Sequence, residues 1–121
     1  MARVKDAAPE WPDRNDITLV GRLSAAPEER VLPSGDELVT WRLVVRRPPA
    51  TRTTSSRAGS VDTIDCSSFR ADVRRQAGRW SPDDVLEVNG ALRRRFWRSG
   101  GGAASRTEVE VVSARRVRAA S

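Results

Sequence analysis

The sequence predicts an all-β domain with one short helix. Apolar and polar residues alternate over 16–23, 38–46 and 85–97, the period of a half-buried strand. Helical spacing is clearest at Val73, Ala77 and Trp80. Clusters of proline, glycine, serine and aspartate punctuate these stretches, as turns do.

Residues 1–15 (MARVKDAAPEWPDRN) keep neither period, and Pro9 and Pro12 flank Trp11. The segment reads as a flexible or loosely docked N-terminal arm. From Asp16 to Leu23, Ile17, Leu19, Gly21 and Leu23 share one face and Thr18, Val20 and Arg22 the other, which predicts a first strand. Ser24 to Arg30 reads as a loop, and Pro33-Ser34-Gly35-Asp36 as a turn. A second strand is expected from Leu38 to Arg46. Val39, Trp41, Leu43 and Val45 form its apolar face, with Thr40, Arg42, Val44 and Arg46 opposite. Pro48-Pro49 ends it, because proline cannot donate to a ladder.

Residues 47–60 (RPPATRTTSSRAGS) carry no apolar anchor and read as a mobile loop. Val61 to Phe69 is a third strand, and Arg70 to Trp80 the helix. Ser81-Pro82-Asp83-Asp84 turns the chain into a fourth and longest strand, Val85 to Trp97, where Gly90 suggests a bulge or barrel bend. Residues 98–106 (RSGGGAASR) read as a flexible loop before a fifth strand, Thr107 to Val117. Five strands with one helix between the third and fourth is the element order of an OB-fold, a small Greek-key barrel. The domain is expected over residues 16–118.

The chain has 121 residues, enough for one domain with a modest core. Its net charge is +6, and of 22 basic residues only Lys5 is a lysine. An arginine excess can reflect codon usage, so the weight falls on the sign of the charge, which favours an anionic partner such as nucleic acid or a membrane surface. No apolar run reaches membrane-spanning length, so no membrane partner is expected, and the N-terminus lacks the apolar segment of a signal peptide. A single cysteine, Cys66, cannot form an internal disulfide, and a cytoplasmic, nucleoid-associated location is the expectation. With no histidine, His-based triads are excluded. With one cysteine besides, a zinc cluster lacks ligands. The carboxylates are scattered, whereas a nuclease needs them clustered around metal ions. No metal, no cofactor and no catalytic residue is expected.

The fourth strand brings Arg93, Arg94 and Arg95 directly before Phe96 and Trp97. Arginines neutralise phosphates and flat rings stack on bases, the two needs of a single-stranded nucleic-acid groove. Taken alone, Trp97 fits either a stacking platform or an edge tryptophan at a subunit interface. Phe69 fits either a ligand contact or core at the strand-to-helix junction. Trp41 and Trp80 extend apolar faces and read as core, as does Cys66. Arg42 and Arg46 project away from an apolar face, and their surplus over nearby acids, together with Arg47 and Arg52, favours phosphate contact over a solvated face. Arg74, Arg75 and Arg79 on the helix read as solvated, and Asp83-Asp84 as turn chemistry. Gly100-Gly101-Gly102 opens no helix and precedes no Lys-Ser/Thr, so it is a hairpin tip rather than a phosphate loop.

Five pieces occur in one order: NDITLVGRL at 15–23, LPSGDELVTWRLVVRR at 32–47, DTIDCSSF at 62–69, DVLEVNGALRRRFW at 84–97 and TEVEVV at 107–112. Together they make the chain resemble the bacterial single-stranded DNA-binding protein family across residues 15–118. The resemblance implies an OB-fold that binds single-stranded DNA with little sequence preference, in replication, repair or recombination. It also implies a homo-oligomer, a tetramer before a dimer. By position, Phe69 and Trp97 would stack on bases, and Arg93 and Arg95 share the face of Trp97 by strand alternation. With them, Arg22, Arg42, Arg46 and Arg47 are expected to take phosphates.

Departures from the family pattern also stand out. Thr63 occupies a place where the family usually has an aromatic, and Asp65 puts a negative charge on the face expected for Phe69. The sequence stops soon after the fifth strand, so recruitment through an acidic tail is not expected and a tail-less paralogue is implied. The alternative is an OB-fold accessory module of a replication or primosome-like assembly, whose main ligand is protein.

Overall fold

The computed structural model describes residues 10–49 and 60–121. Along the chain run β1 (Ile17–Leu23), β2 (Glu28–Val31), β3 (Glu37–Arg46), β4 (Val61–Ser68), α1 (Ala71–Ala77), β5 (Val85–Ser99) and β6 (Gly102–Arg118). The apolar rows read from the alternation converge on one interior. Leu23, Val39, Trp41, Leu43, Cys66, Leu86, Val88, Val109 and Val111 are all buried there.

The pairings close a ring. β1 runs antiparallel to β5 and, at Arg22 and Leu23, to β3. β3 pairs with β4, β4 with β6, and β6 returns to β5. The β4–β6 seam is parallel and short, Cys66 and Ser67 against Val109 and Glu110, which leaves the barrel partly open. Helix α1 packs Val73 and Ala77 into the interior. This is the expected OB-fold, with six strands rather than five.

The sixth strand corrects the loop expected over Ser24 to Arg30. Glu28–Val31 pairs with Glu37–Thr40 as an edge strand, β2. All four of its residues are exposed, so no apolar alternation marks it. Its register comes from the hairpin turn, where Gly35 adopts φ 92° and its N–H donates to the Leu32 carbonyl at 2.8 Å.

The loop expected over residues 98–106 is also corrected. β5 and β6 stay paired out to Ser99 and Gly102, joined by Gly100–Gly101 with Gly100 at φ 33°. This end of the hairpin projects beyond the core. Its small and polar residues carry no alternation, and the backbone ladder alone defines the strands. The helix is shorter than expected and ends before Gly78, yet Trp80 remains buried, edge-on to Trp41 at 5.1 Å and 72°.

Gly90 lies where a bulge was expected, at a register shift between Asn89 and Gly90. A Cβ at this position would collide with the Glu110 carbonyl, so the close crossing of β5 and β6 needs glycine.

Asp84 is fully buried below the β5 entry. It accepts N–H bonds from Ser81 and Ala120, each at 2.8 Å, with Arg116 at 3.4 Å. These donors, led by the Ser81 N–H, hold its carboxyl below the usual carboxylate range.

Residues 1–9 of the expected arm and 50–59 of the expected loop lie outside the described residues. Of the rest of the arm, Trp11 is exposed. Asn15 pairs with the Leu92 backbone through both amide atoms, donating at 2.8 Å and accepting at 2.9 Å. No helix among the described residues is long and apolar enough to cross a membrane.

Candidate nucleic-acid interface

Successive strand residues point to opposite faces. Arg93, Arg95 and Trp97 of β5 therefore share one face, and the ladder sets Arg106, Glu108 and Glu110 of β6 beside them. On this face opens a groove of about 550 Å³, lined by Leu32, Leu38, Phe69, Arg95 and Trp97, among others. It shares Arg30, Thr40, Arg106 and Glu108 with an adjoining depression of about 280 Å³ that reaches Arg42 and Asp65. The two form one continuous trough. Phe69 is 37% exposed and Trp97 46%, so each ring has a free surface above an anchored edge.

Every arginine of the trough is already partnered. Arg95 donates through Nε to Glu108 and through Nη2 to Glu110, both at 2.7 Å. Glu108 is buried and also has Arg106 at 3.9 Å, while Arg93 lies 3.7 Å from Glu110. Arg42 donates to Asp65 at 2.9 Å, and Arg30 to Glu28 at 3.4 Å. The acid that the sequence places beside Phe69 is thus neutralised by Arg42. These pairs are mostly exposed and hold their partners loosely. The exception is Glu108, whose burial makes Arg95 a structural counter-charge as well as a groove residue.

The structure brings Arg42, Phe69, Arg95 and Trp97 together in the trough. Arg93 stands on the same strand face just outside its lining. Arg22 and Arg46 do not join them. They border a separate depression of about 400 Å³ floored by Val20, Val44 and Val85, where Arg22 also contacts Asp83 at 3.2 Å. Arg47 lies beyond that, donating to Asp62 at 2.7 and 3.1 Å, and this contact holds the Asp62 carboxyl below its usual range. Thr63 stands in register with Val44 and lines a third cavity with Ile17, Leu19 and Leu92.

Nothing in the sequence marks Arg30 or Arg106, because both lie in exposed segments without apolar alternation. The pairing of β2 with β3 and of β6 with β5 is what carries them to the trough. Among the described residues no group of three histidine, cysteine or acidic side chains could hold a metal ion. Cys66 is 1% exposed, and burial, helped by the charges of Asp65 and Glu108, pushes its thiol up to about 12.

Over residues 14–118 the sequence matches the Single-strand binding protein family. Single-stranded DNA-binding protein 1 of Staphylococcus aureus (strain COL) is 33% identical over 88 residues, 73% of this chain and 51% of its own length. Single-stranded DNA-binding protein A of Bacillus subtilis (strain 168) is 32% identical over 88 residues, 73% of this chain and 49% of its own. The match thus spans about half the length of these relatives.

Two solved structures share the fold. The structure titled "Plasmodium falciparum SSB complex with ssDNA" superposes with a TM-score of 0.69 at 20% identity, over 84% of this chain and 90% of that one. The small single-stranded DNA-binding protein from Streptomyces coelicolor gives 0.61 at 22% identity, over 84% and 92%.

Proposed function

Because this chain belongs to the single-strand binding protein family, we propose that it binds single-stranded DNA with little sequence preference, through the trough between Trp97 and Arg42. The observation that carries this reading is the pair of half-exposed rings, Phe69 and Trp97, in one groove rimmed by arginines. Each ring stacks on a base for about 1–3 kcal/mol, whatever the base, because every base has a π-face. Arg42, Arg95 and Arg106 meet the phosphates by exchanging part of their contact with Asp65, Glu108 and Glu110. Arg93 extends this track along β5. Arg22, Arg46 and Arg47 take phosphates of a strand that continues round the barrel.

One such trough offers few rings. We therefore infer a homo-oligomer, a tetramer before a dimer, that presents several troughs to one strand. The cellular setting that fits is the nucleoid within the cytoplasm, in replication, repair or recombination. The role is binding rather than catalysis, and residues 16–118 carry it. The family match does not favour the accessory-module reading.

Anisotropy of labelled oligo-dT against a duplex of equal length tests the proposal. Preference for the single strand, with log affinity falling linearly in log salt, is expected. Equal binding of duplex, or affinity indifferent to salt, would overturn it.

A further inference from the structure

The residues of β5 that alternate with the Trp97 row point to the other face of the β5–β6 hairpin. Leu86 and Val88 belong to that row and are core. After the register shift at Gly90 the row continues through Leu92, which lies opposite buried Val109. Beyond this point the hairpin leaves the barrel, and a row with core parity has no core to enter. Arg94, Phe96 and Arg98 stand there, opposite Thr107, Ser105 and Ala103. Phe96 is 70% exposed, and the Arg94 guanidinium sits over its ring at 5.4 Å.

The charge on the two faces differs. On the Trp97 face, Arg93, Arg95 and Arg106 each contact a carboxylate. On the Phe96 face the ladder places no acid on either strand from Arg94 to Arg98, and among the described residues neither arginine forms an ion pair. The hairpin's unneutralised charge is therefore gathered around its most exposed ring. A second copy seated symmetrically on this face would set these arginines against their own equivalents, with no acid to separate them. A phosphate backbone with an unstacked base meets both the charge and the ring. The tip between the faces is Gly100 and Gly101, and an added Cβ at either would touch nothing within 4 Å. No side chain blocks a strand from passing round it.

We propose that the Phe96 face of the hairpin is a second single-strand contact. Phe96 stacks on a base, Arg94 and Arg98 take the flanking phosphates, and the strand reaches them from Trp97 by rounding the glycine tip. The proposal rests on the reading that the chain binds single-stranded DNA.

The test compares the full chain with Phe96→Ala, Phe96→Leu, Arg94→Ala/Arg98→Ala and Trp97→Ala. Each is titrated with a short oligo-dT that fills one trough and with a long one, and light scattering and circular dichroism are recorded alongside. Phe96→Ala and Phe96→Leu should each weaken long-strand binding roughly five- to a hundredfold while leaving short-strand binding and oligomeric state unchanged. Leucine keeps the apolar contact a protein partner would use but removes the ring. The double arginine variant should lower the salt slope for the long strand by roughly one and a half.

Loss of affinity in Trp97→Ala without any in the Phe96 variants would overturn this inference and leave the proposed function standing. A change of oligomeric state in Phe96→Ala would overturn it in favour of a second copy on this face. Failure of the parent chain to bind either oligonucleotide would take down both readings.

Discussion

Arg95, which lines the trough, donates to two carboxylates of β6. Its place beside Trp97 follows from strand alternation, but its two contacts at 2.7 Å, to Glu108 and Glu110, depend on the β6 register. No spacing within β5 reveals them. Because Glu108 is buried, removing Arg95 strands a carboxylate with only Arg106 at 3.9 Å. Arg95→Ala should therefore cost about 1–3 kcal/mol of stability in urea unfolding, less than a fully buried pair because Arg95 keeps contact with water. Arg93→Ala, whose contact to Glu110 is 3.7 Å, should leave stability nearly unchanged and reduce only the salt slope. Equal stability of the two variants would show Glu108 to be indifferent to its partner.

Asp84 makes a separate prediction. Its carboxyl is held below the unfolded value by the Ser81 and Ala120 N–H groups, so it stabilises the fold above about pH 4. That contribution is lost as pH falls through the folded value. Asp62 and Asp72, held down by Arg47 and Arg70, shift in the same direction. Asp84→Asn should flatten the fall of stability between neutral and acid pH, as followed by circular dichroism. An acid profile parallel to the parent's would exclude it.

Elements were legible where one face is buried. The rows Ile17–Leu23, Val39–Val45 and Leu86–Val88 enter the barrel as their alternation requires, and Gly90 sits at a register shift. β2 and the outer end of the hairpin were not legible, because they bury nothing and are held by backbone pairing alone. The trough inherits this division. Phe69 and Trp97 could be placed from the sequence, whereas Arg30 and Arg106, carried by those two silent segments, could not.

Gly90 tests the hairpin as a unit. Gly90→Ala drives a methyl into the Glu110 carbonyl, and backbone has little room to yield. A loss of about 1–3 kcal/mol is expected in urea, with weakened oligo-dT binding as the β6 carboxylates shift under Arg95. Full stability in this variant would mean that the crossing does not depend on glycine.

At the scale of the whole molecule, a net charge of +6 is distributed unevenly. The trough mixes arginines with acids, while Arg46 borders a second depression with Arg118. Charge alone does not select single strands; under the proposed function the rings do. With two rings per trough, affinity should come from linked troughs. An oligomer is expected by light scattering at micromolar concentration, with affinity rising steeply with oligonucleotide length. A monomer whose affinity is flat against length would contradict this.

Tryptophan fluorescence reports the trough directly. Trp41 and Trp80 are buried in the core, and only Trp11 and Trp97 are exposed. The decisive measurement is quenching of this fluorescence by oligo-dT at low and high salt, in the parent chain and in Trp97→Phe. Saturable quenching that weakens with salt is expected, with its near-complete loss in Trp97→Phe while anisotropy still reports binding. Quenching undiminished in Trp97→Phe, or none in the parent, would contradict the claim that bases stack on Trp97.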